Sequence, residues 1–267
     1  MDASARDRVV LRTAEEIARI GAACAVVHAV LDELAGATGP GVTTADLDEL
    51  ARARTRALGA DPAFLGYHGY PAALCVSVND EVVHGIPSRR RRLAEGDVVG
   101  LDFGAVLDGW YGDAARTVAV GRIAPAAGRL LEVCREALAR AVAVARPGAT
   151  LGDVGAAVQR WVEGQGFSVV REFVGHGIGR RLHEPPHVPN FGEPGKGERL
   201  RPGMVLAIEP MVNAGESDVE QLDDGWTAVT ADGSLSAHFE HTVAVTENGP
   251  MILGLAGASS VSPGGGC

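Results

Sequence analysis

Apolar residues recur three and four apart through "EEIARIGAACAVVHAVLDEL", residues 15–34. Thr13 and Glu16 just before them form a capping box, so the pattern predicts a helix from residue 14. Two later stretches announce helices in the same order of residues: "PGVTTADLDELARARTRALG", 40–59, and "PGATLGDVGAAVQRWVEGQG", 147–166. Their Pro, Gly, Thr, Asp and closing Gly coincide at an offset of 107 residues (147 − 40), with Thr43/Asp46 and Thr150/Asp153 giving the same cap. Short, nearly continuous apolar runs of strand length follow each helix, "VVGLDFGAV" and "MVLAIEPMV". The offset of 107 lays "EGDVVGLD" over "PGMVLAIE" and Asp102 over Glu209. Each run leads to a further strand ending in "TVAV", residues 117–120 and 242–245, with Asp113 and Glu240 shortly before it (240 − 113 = 127). The pattern predicts two halves of helix and strand, about 14–121 and 123–254, with Glu209 and Glu240 mirroring Asp102 and Asp113. Asp108-Gly109 marks a hairpin turn between the first two acid-bearing strands. A two-residue loop there puts Asp102 and Asp113 on one sheet face, opposite or one step diagonal.

Composition narrows the class. A chain of 267 residues, 46% apolar and 22% charged, is long enough to bury a core and is globular in type. A net charge of −10 argues against direct nucleic-acid binding, which needs a basic face. The single basic run, Arg89–Arg92, reads as a solvated loop. Cys24, Cys75, Cys134 and Cys267 show no C-x-x-C spacing and imply a reducing compartment without disulfides. The N-terminal stretch has no signal-peptide core, and no run reaches the ~18 apolar residues of a membrane span. The expectation is a cytoplasmic protein away from membranes, with a disordered Gly/Ser-rich tail at 256–267.

The four acids do not fit an ordinary core. Carboxylates in apolar strands are costly unless paired or metal-bound, and neither strand carries a basic residue beside its acid; Arg116 is the nearest candidate for Asp102. Four converging carboxylates repel one another, and two divalent ions would balance them. His176 in "GHGIG", surrounded by glycines at 175, 177 and 179 that permit close backbone approach and unusual dihedrals, supplies an imidazole. An oxygen-rich site with one imidazole suits Mn, Co, Fe(II) or Zn.

Together these stretches, with "LGYHGYPAALCVSVNDEVVHGIP", "GHGIGRRLHEPPHVPN" and "SAHFEHTVAV", resemble the type I methionine aminopeptidases. The resemblance runs from "TAEEI" to "TENGPMIL" and implies an α+β pita-bread fold, two pseudo-twofold-related halves with a central antiparallel sheet backed by helices, in one catalytic domain over 1–255. It implies five metal ligands: Asp113 and Glu240 bridging two ions, Asp102 chelating one, His176 and Glu209 holding the other. It implies catalytic roles for His84, His183 and Glu209, with Glu209 shuttling a proton, and a side-chain pocket from Phe64, Tyr67, Tyr70, Cys75, Leu182 and Trp226. His187 has no counterpart and is expected at the surface. Phe64, Leu182 and His238 depart from the family, standing where relatives often have a small residue, an aromatic and Gln. Only 30 residues separate Glu209 from Glu240, which argues against the type II insertion. The implied activity is removal of initiator methionine from nascent polypeptides with a small second residue, by a monomer in transient contact with ribosomes. The alternatives are an Xaa-Pro-cleaving relative, which usually bears an extra N-terminal domain not seen here, and a catalytically silent pita-bread binding protein.

Overall fold

Three threonines start three of the four α-helices among the described residues in the same way. In α1 (Ala14–Ala37), α2 (Thr44–Ala57) and α4 (Leu151–Gly164), the hydroxyl of Thr13, Thr43 or Thr150 accepts from the backbone N–H three residues on. The acid at that position accepts from the threonine's own N–H, so two otherwise orphaned donors are satisfied reciprocally. The remaining helix, α3 (Pro125–Val144), has no side-chain cap and begins instead with proline, whose missing N–H costs nothing there. The computed structural model describes residues 8–255; Cys267 and the tail expected to be disordered lie outside them.

The first half carries α1 and α2, then β1 (Asp61–Pro62), β2 (Cys75–Val78), β3 (Glu81–Val83), β4 (Val98–Leu107) and β5 (Trp110–Ala119). The second carries α3 and α4, then β6 (Ser168–Val169), β7 (Gly175–Gly177), β8 (Glu184–Val188), β9 (Val205–Ile208) and β10 (Met211–Asn213). It continues through β11 (Val219–Gln221), β12 (Ala228–Thr230), β13 (Ser236–His238), β14 (His241–Thr246) and β15 (Gly249–Ile252). Every strand pairing among the described residues is antiparallel. The hairpin turn is as predicted: Leu107 pairs with Trp110, and Asp108 and Gly109 both take positive φ, 51° and 74°. Asp102 faces Ala115 and Asp113 faces Gly104, so the two acids share a face one step diagonally apart. Helix α1 packs on β4 and β5 with Ile20, Ala23, Val27, Val30, Leu31 and Leu34 buried. By length and composition it is the one helix among the described residues apolar enough to cross a membrane, but half of that apolar stretch is buried in the protein, as in a core helix.

The offset of 107 is built into the backbone. Thr43 bridges to Arg92 and Thr150 to Arg199, and the two arginines donate to the carbonyls of Gly41 and Gly148. The central sheet is two hydrogen-bonded sheets rather than one, β1-β4-β2 with β5 beside β4, and β15-β14-β9-β7-β8. They meet at a seam made largely by side chains. The Thr117 hydroxyl donates to His238 O and accepts from His238 N, both at 2.9 Å. The Thr242 hydroxyl donates to Asp113 O at 2.8 Å and accepts from Asp113 N at 3.3 Å. Between the two clasps, Glu240 N donates to Ala115 O at 2.9 Å.

This seam corrects the expected mirror of the acids. It sets Thr117 equivalent to Thr242, an offset of 125 (242 − 117), and the same step takes Asp113 to His238 and Ala115 to Glu240. Glu240 is therefore not the mirror of Asp113. Asp102 and Glu209 do match, since both registers place them at the offset of 107.

Candidate metal centre

The strands that flank the seam turn their acids inward. Asp113 is 4% and Glu240 2% exposed, while Asp102 and Glu209 border a cavity of about 180 Å³. Arg116 does not reach Asp102: it pairs with Asp32 at 2.6 Å. His176 comes from β7, which pairs with β9 so that His176 lies opposite Ala207, two residues before Glu209. The glycines on either side of it allow this approach, because a Cβ on Gly175 or Gly177 would stand 2.3 Å from the carbonyl oxygen of Ala207 or Pro185. The unusual dihedrals expected here are not found: none of Gly175, Gly177 and Gly179 takes a positive φ, and close approach is what the glycines supply.

The His176 tautomer is set by its neighbour. Nδ1 lies 2.9 Å from Gly177 O and donates to it, which leaves the lone pair on Nε2, the arrangement of a metal-binding imidazole. Nε2 stands 3.6 Å from Glu209 Oε1 and 3.9 Å from Asp113 Oδ2. Asp113, His176 and Glu240 each bring a ligand atom within 4.8 Å of the others. Burial pushes the His176 imidazole down to about 3, so its lone pair is free at neutral pH.

The carboxyls show the strain of the cluster. Burial raises Asp102 to about 7, with Glu209 adding to the rise and His238 opposing it. Burial raises Glu209 to about 8. Asp113 and Glu240 are held well above the usual carboxylate range by burial first and then by the other acids. Asp102 Oδ1, Asp113 Oδ1 and Glu240 Oε1 are buried with no hydrogen-bond partner among the described residues. Crowded, unpartnered carboxylate oxygens beside a lone-pair imidazole fit a divalent metal ion, which would neutralise them and take up those oxygens.

The cavity brings together every site residue expected from the sequence. Phe64, Tyr67, Tyr70, Cys75, His84, Leu182, His183 and Trp226 line it with all five ligand candidates. Phe64 fits because residue 104 is glycine: a Cβ there would lie 2.7 Å from its ring. Tyr70 donates to Gly85 O and stacks edge-on against Trp226 at 5.1 Å. Cys75 is a neutral wall, its thiol raised by burial and then by Asp102. His84 holds φ of 62°, a conformation rare outside glycine, and is packed by Phe173 and Trp226. His183 Nδ1 meets the Tyr67 hydroxyl at 2.7 Å. Burial lowers both catalytic histidine candidates to about 4, with neighbouring imidazoles adding to the effect, so they are neutral at pH 7. His187 is exposed on β8, as expected.

Three further residues within the quoted stretches support the site, a role the sequence reading did not give them. Asn190, 1% exposed, donates to the Glu209 carbonyl at 3.0 Å. Glu184 accepts from Arg180 N and Arg181 N and is clamped at 2.5 Å by Arg12, which fixes the loop that carries His183. His238, read from the sequence only as a departure in the pocket, lies 3.6 Å from Glu209 Oε2.

Comparison with known proteins gives the family. The model of metallopeptidase family M24 matches residues 18–247. Methionine aminopeptidase A of Synechocystis sp. is 48% identical over 249 residues, 93% of this chain and 98% of that protein. The crystal structure of methionine aminopeptidase from Rickettsia prowazekii superposes with a TM-score of 0.91 at 41% identity, covering 93% of this chain and 100% of that one. The prolidase from Pyrococcus furiosus reaches a TM-score of 0.78 at 25% identity, covering 96% of this chain and 68% of that one. The α+β pita-bread architecture expected from the sequence is thus the fold of this chain.

Proposed function

The chain belongs to metallopeptidase family M24, and we propose that it is a methionyl aminopeptidase, releasing initiator methionine from nascent polypeptides whose second residue is small. The observation that carries this reading is one cavity shared by the five ligand candidates, two neutral histidines and an apolar, sulfur-compatible wall. The relatives named methionine aminopeptidase, far closer in sequence than the prolidase, support it.

In this reading Asp102, Asp113, His176, Glu209 and Glu240 would hold two divalent ions, from among Mn, Co, Fe(II) and Zn. When bound, such ions polarise a carbonyl and supply activated water near neutral pH. The chain's own groups do the rest. Tyr67, whose phenol stays protonated because burial raises it, donates to His183 Nδ1, so the His183 proton sits on Nε2. That N–H is the donor for the oxygen on which charge develops at the scissile carbonyl. His84 contacts the scissile amide nitrogen. Glu209 accepts a proton and passes it to the leaving amine. Phe64, Tyr67, Tyr70, Cys75, Leu182 and Trp226 receive the methionine side chain, where each sulfur–aromatic contact contributes ~0.3–1.5 kcal/mol. The same reading takes residues 1–255 as one catalytic unit, cytoplasmic and monomeric, meeting its substrates at the ribosome without binding nucleic acid or membrane.

The test is free-methionine release from a Met-Ala-Ser peptide by metal-stripped protein reloaded with Mn, Co, Fe(II) or Zn, beside an Ala-Pro peptide. Metal-dependent release with Ala-Pro intact is expected. Cleavage of Ala-Pro alone would move the chain to the prolyl branch, and cleavage of neither with metal bound would leave a silent binding protein.

A further inference from the structure

His238 ends β13 two residues before Glu240 and is 3% exposed. Its backbone is held on two sides, by the Thr117 clasp and by pairing with Met211 in β10, so the point from which its side chain projects is fixed. The seam makes it the twofold counterpart of Asp113, a position whose side chain faces the centre. Its Nε2 is buried, has no hydrogen-bond partner among the described residues, and stands 3.6 Å from Glu209 Oε2.

Glu209 thus has an imidazole at each oxygen. His176 presents a lone pair beside Oε1, because its own N–H is committed to Gly177 O. Once Glu209 is ionised, Oε1 and His176 Nε2 are two acceptors facing each other, an arrangement that a bound cation satisfies. At Oε2 the favourable tautomer of His238 is the reverse, with a proton on Nε2 aimed at the carboxylate. The separation lies just beyond hydrogen-bond length, and a small side-chain rotation closes it.

We propose that His238 is a positioning residue of the metal centre: its Nε2–H donates to Glu209 Oε2 and keeps Oε1 turned, beside His176, toward the metal ion. The inference rests on the metal-centre reading above. It gives Glu209 a fixed orientation, which a carboxylate facing an open cavity lacks, and outer partners of this kind typically tune metal affinity ~10–100-fold.

The test compares His238→Gln, which keeps an N–H donor at the same reach, with His238→Leu, which removes it. Metal affinity is read by calorimetry with Mn and by the visible spectrum of Co(II), and turnover by release from Met-Ala-Ser. The Leu variant should weaken metal binding ~10–100-fold, shift the Co(II) spectrum, and lower kcat with KM within about twofold. The Gln variant should stay within about threefold of the unaltered protein. Leu binding metal as tightly as the unaltered protein would overturn the proposal. So would Gln binding as weakly as Leu, since the imidazole nitrogen would then be a ligand itself. Nitrogen NMR of the unaltered, metal-loaded protein gives an independent check should a variant fail to fold: a proton on His238 Nε2 supports the proposal, and a metal bond there sinks it. Absence of methionine release by the unaltered protein would reject the activity, while the affinity comparison would still decide His238.

Discussion

The two halves share a backbone plan and differ in what they place on it. In the first, Asp102 and Asp113 sit on a hairpin of ten-residue strands closed by a two-residue turn. In the second, β9 and β14 are short and joined through β10 to β13, and extending their register by one residue sets Glu209 opposite Glu240. Strand β2 meets β4 as β7 meets β9, which makes Ser77 the counterpart of His176, 99 residues apart (176 − 77). The same step carries His84 to His183. One frame therefore repeats a histidine at the cavity, but replaces Ser77 by His176, Ala115 by Glu240 and Asp113 by His238. The frame decides which face a side chain occupies, and the residue decides its chemistry. Single exchanges on a twofold scaffold suffice to distinguish the aspartate pair of one half from the imidazole of the other.

The most severe way to break the comparison is Asp113→Asn. Activity should fall by more than the ~10–100-fold typical of an outer partner, because this acid serves both ions in the proposed site. The metal-free variant should melt higher than the metal-free parent, since the cost of keeping this buried carboxyl protonated has gone. Calorimetry beside the peptide assay reads both signs, and retained activity would remove the two-metal account.

The repeated histidines sharpen it next. His183→Ala should cost ~10²–10³ in kcat as a lost oxyanion donor. Tyr67→Phe removes only the group that sets its tautomer and should cost less than ~10-fold. Equal losses in steady-state kinetics would mean that Tyr67 does more than orient the ring.

Metal and pH act on both halves together. In the metal-free protein, Asp102 titrates near 7 and Glu209 near 8, above their unfolded values. The folded state then holds more protons than the unfolded one between about pH 4 and 8, so stability falls as pH rises through that window. Melting should be lower at pH 8 than at pH 5.5. Mn at a hundred times its Kd should raise it by about 5–10 °C. A metal-free melting temperature that rises across this window would contradict the unpartnered carboxyls.

The smallest effect concerns the matched caps. Thr43→Ala and Thr150→Ala should each cost about 1 kcal/mol, or about 2–4 °C. A marked inequality in thermal melts would show that the two halves do not share stability evenly.

Much of this was legible in the sequence because it depends on local chemistry. Capping boxes, the Asp108-Gly109 turn and the apolar setting of Asp102 each need only a few neighbouring residues. The repeat matched Asp102 to Glu209 correctly but misassigned the counterpart of Glu240. The register across the seam was not legible, because "TVAV" repeats at 125 while the nearby acids differ by 127, and nothing local says which one the backbone follows. The threonine hydroxyls decide it. Arg12 and Glu184 pair across 172 residues, a separation with no sequence signal.

The threonine clasps join two bodies that are also covalently one. Donors for the proposed metal pair come from both, Asp102 and Asp113 on one side, His176, Glu209 and Glu240 on the other. Were the halves separate chains, the centre would form only at concentrations that favour their association. Here a short link at 121–124 connects them, and tethers of that kind hold partners at effective concentrations of about millimolar. Dilution, which dissolves an ordinary dimer, leaves this site assembled at any level of expression.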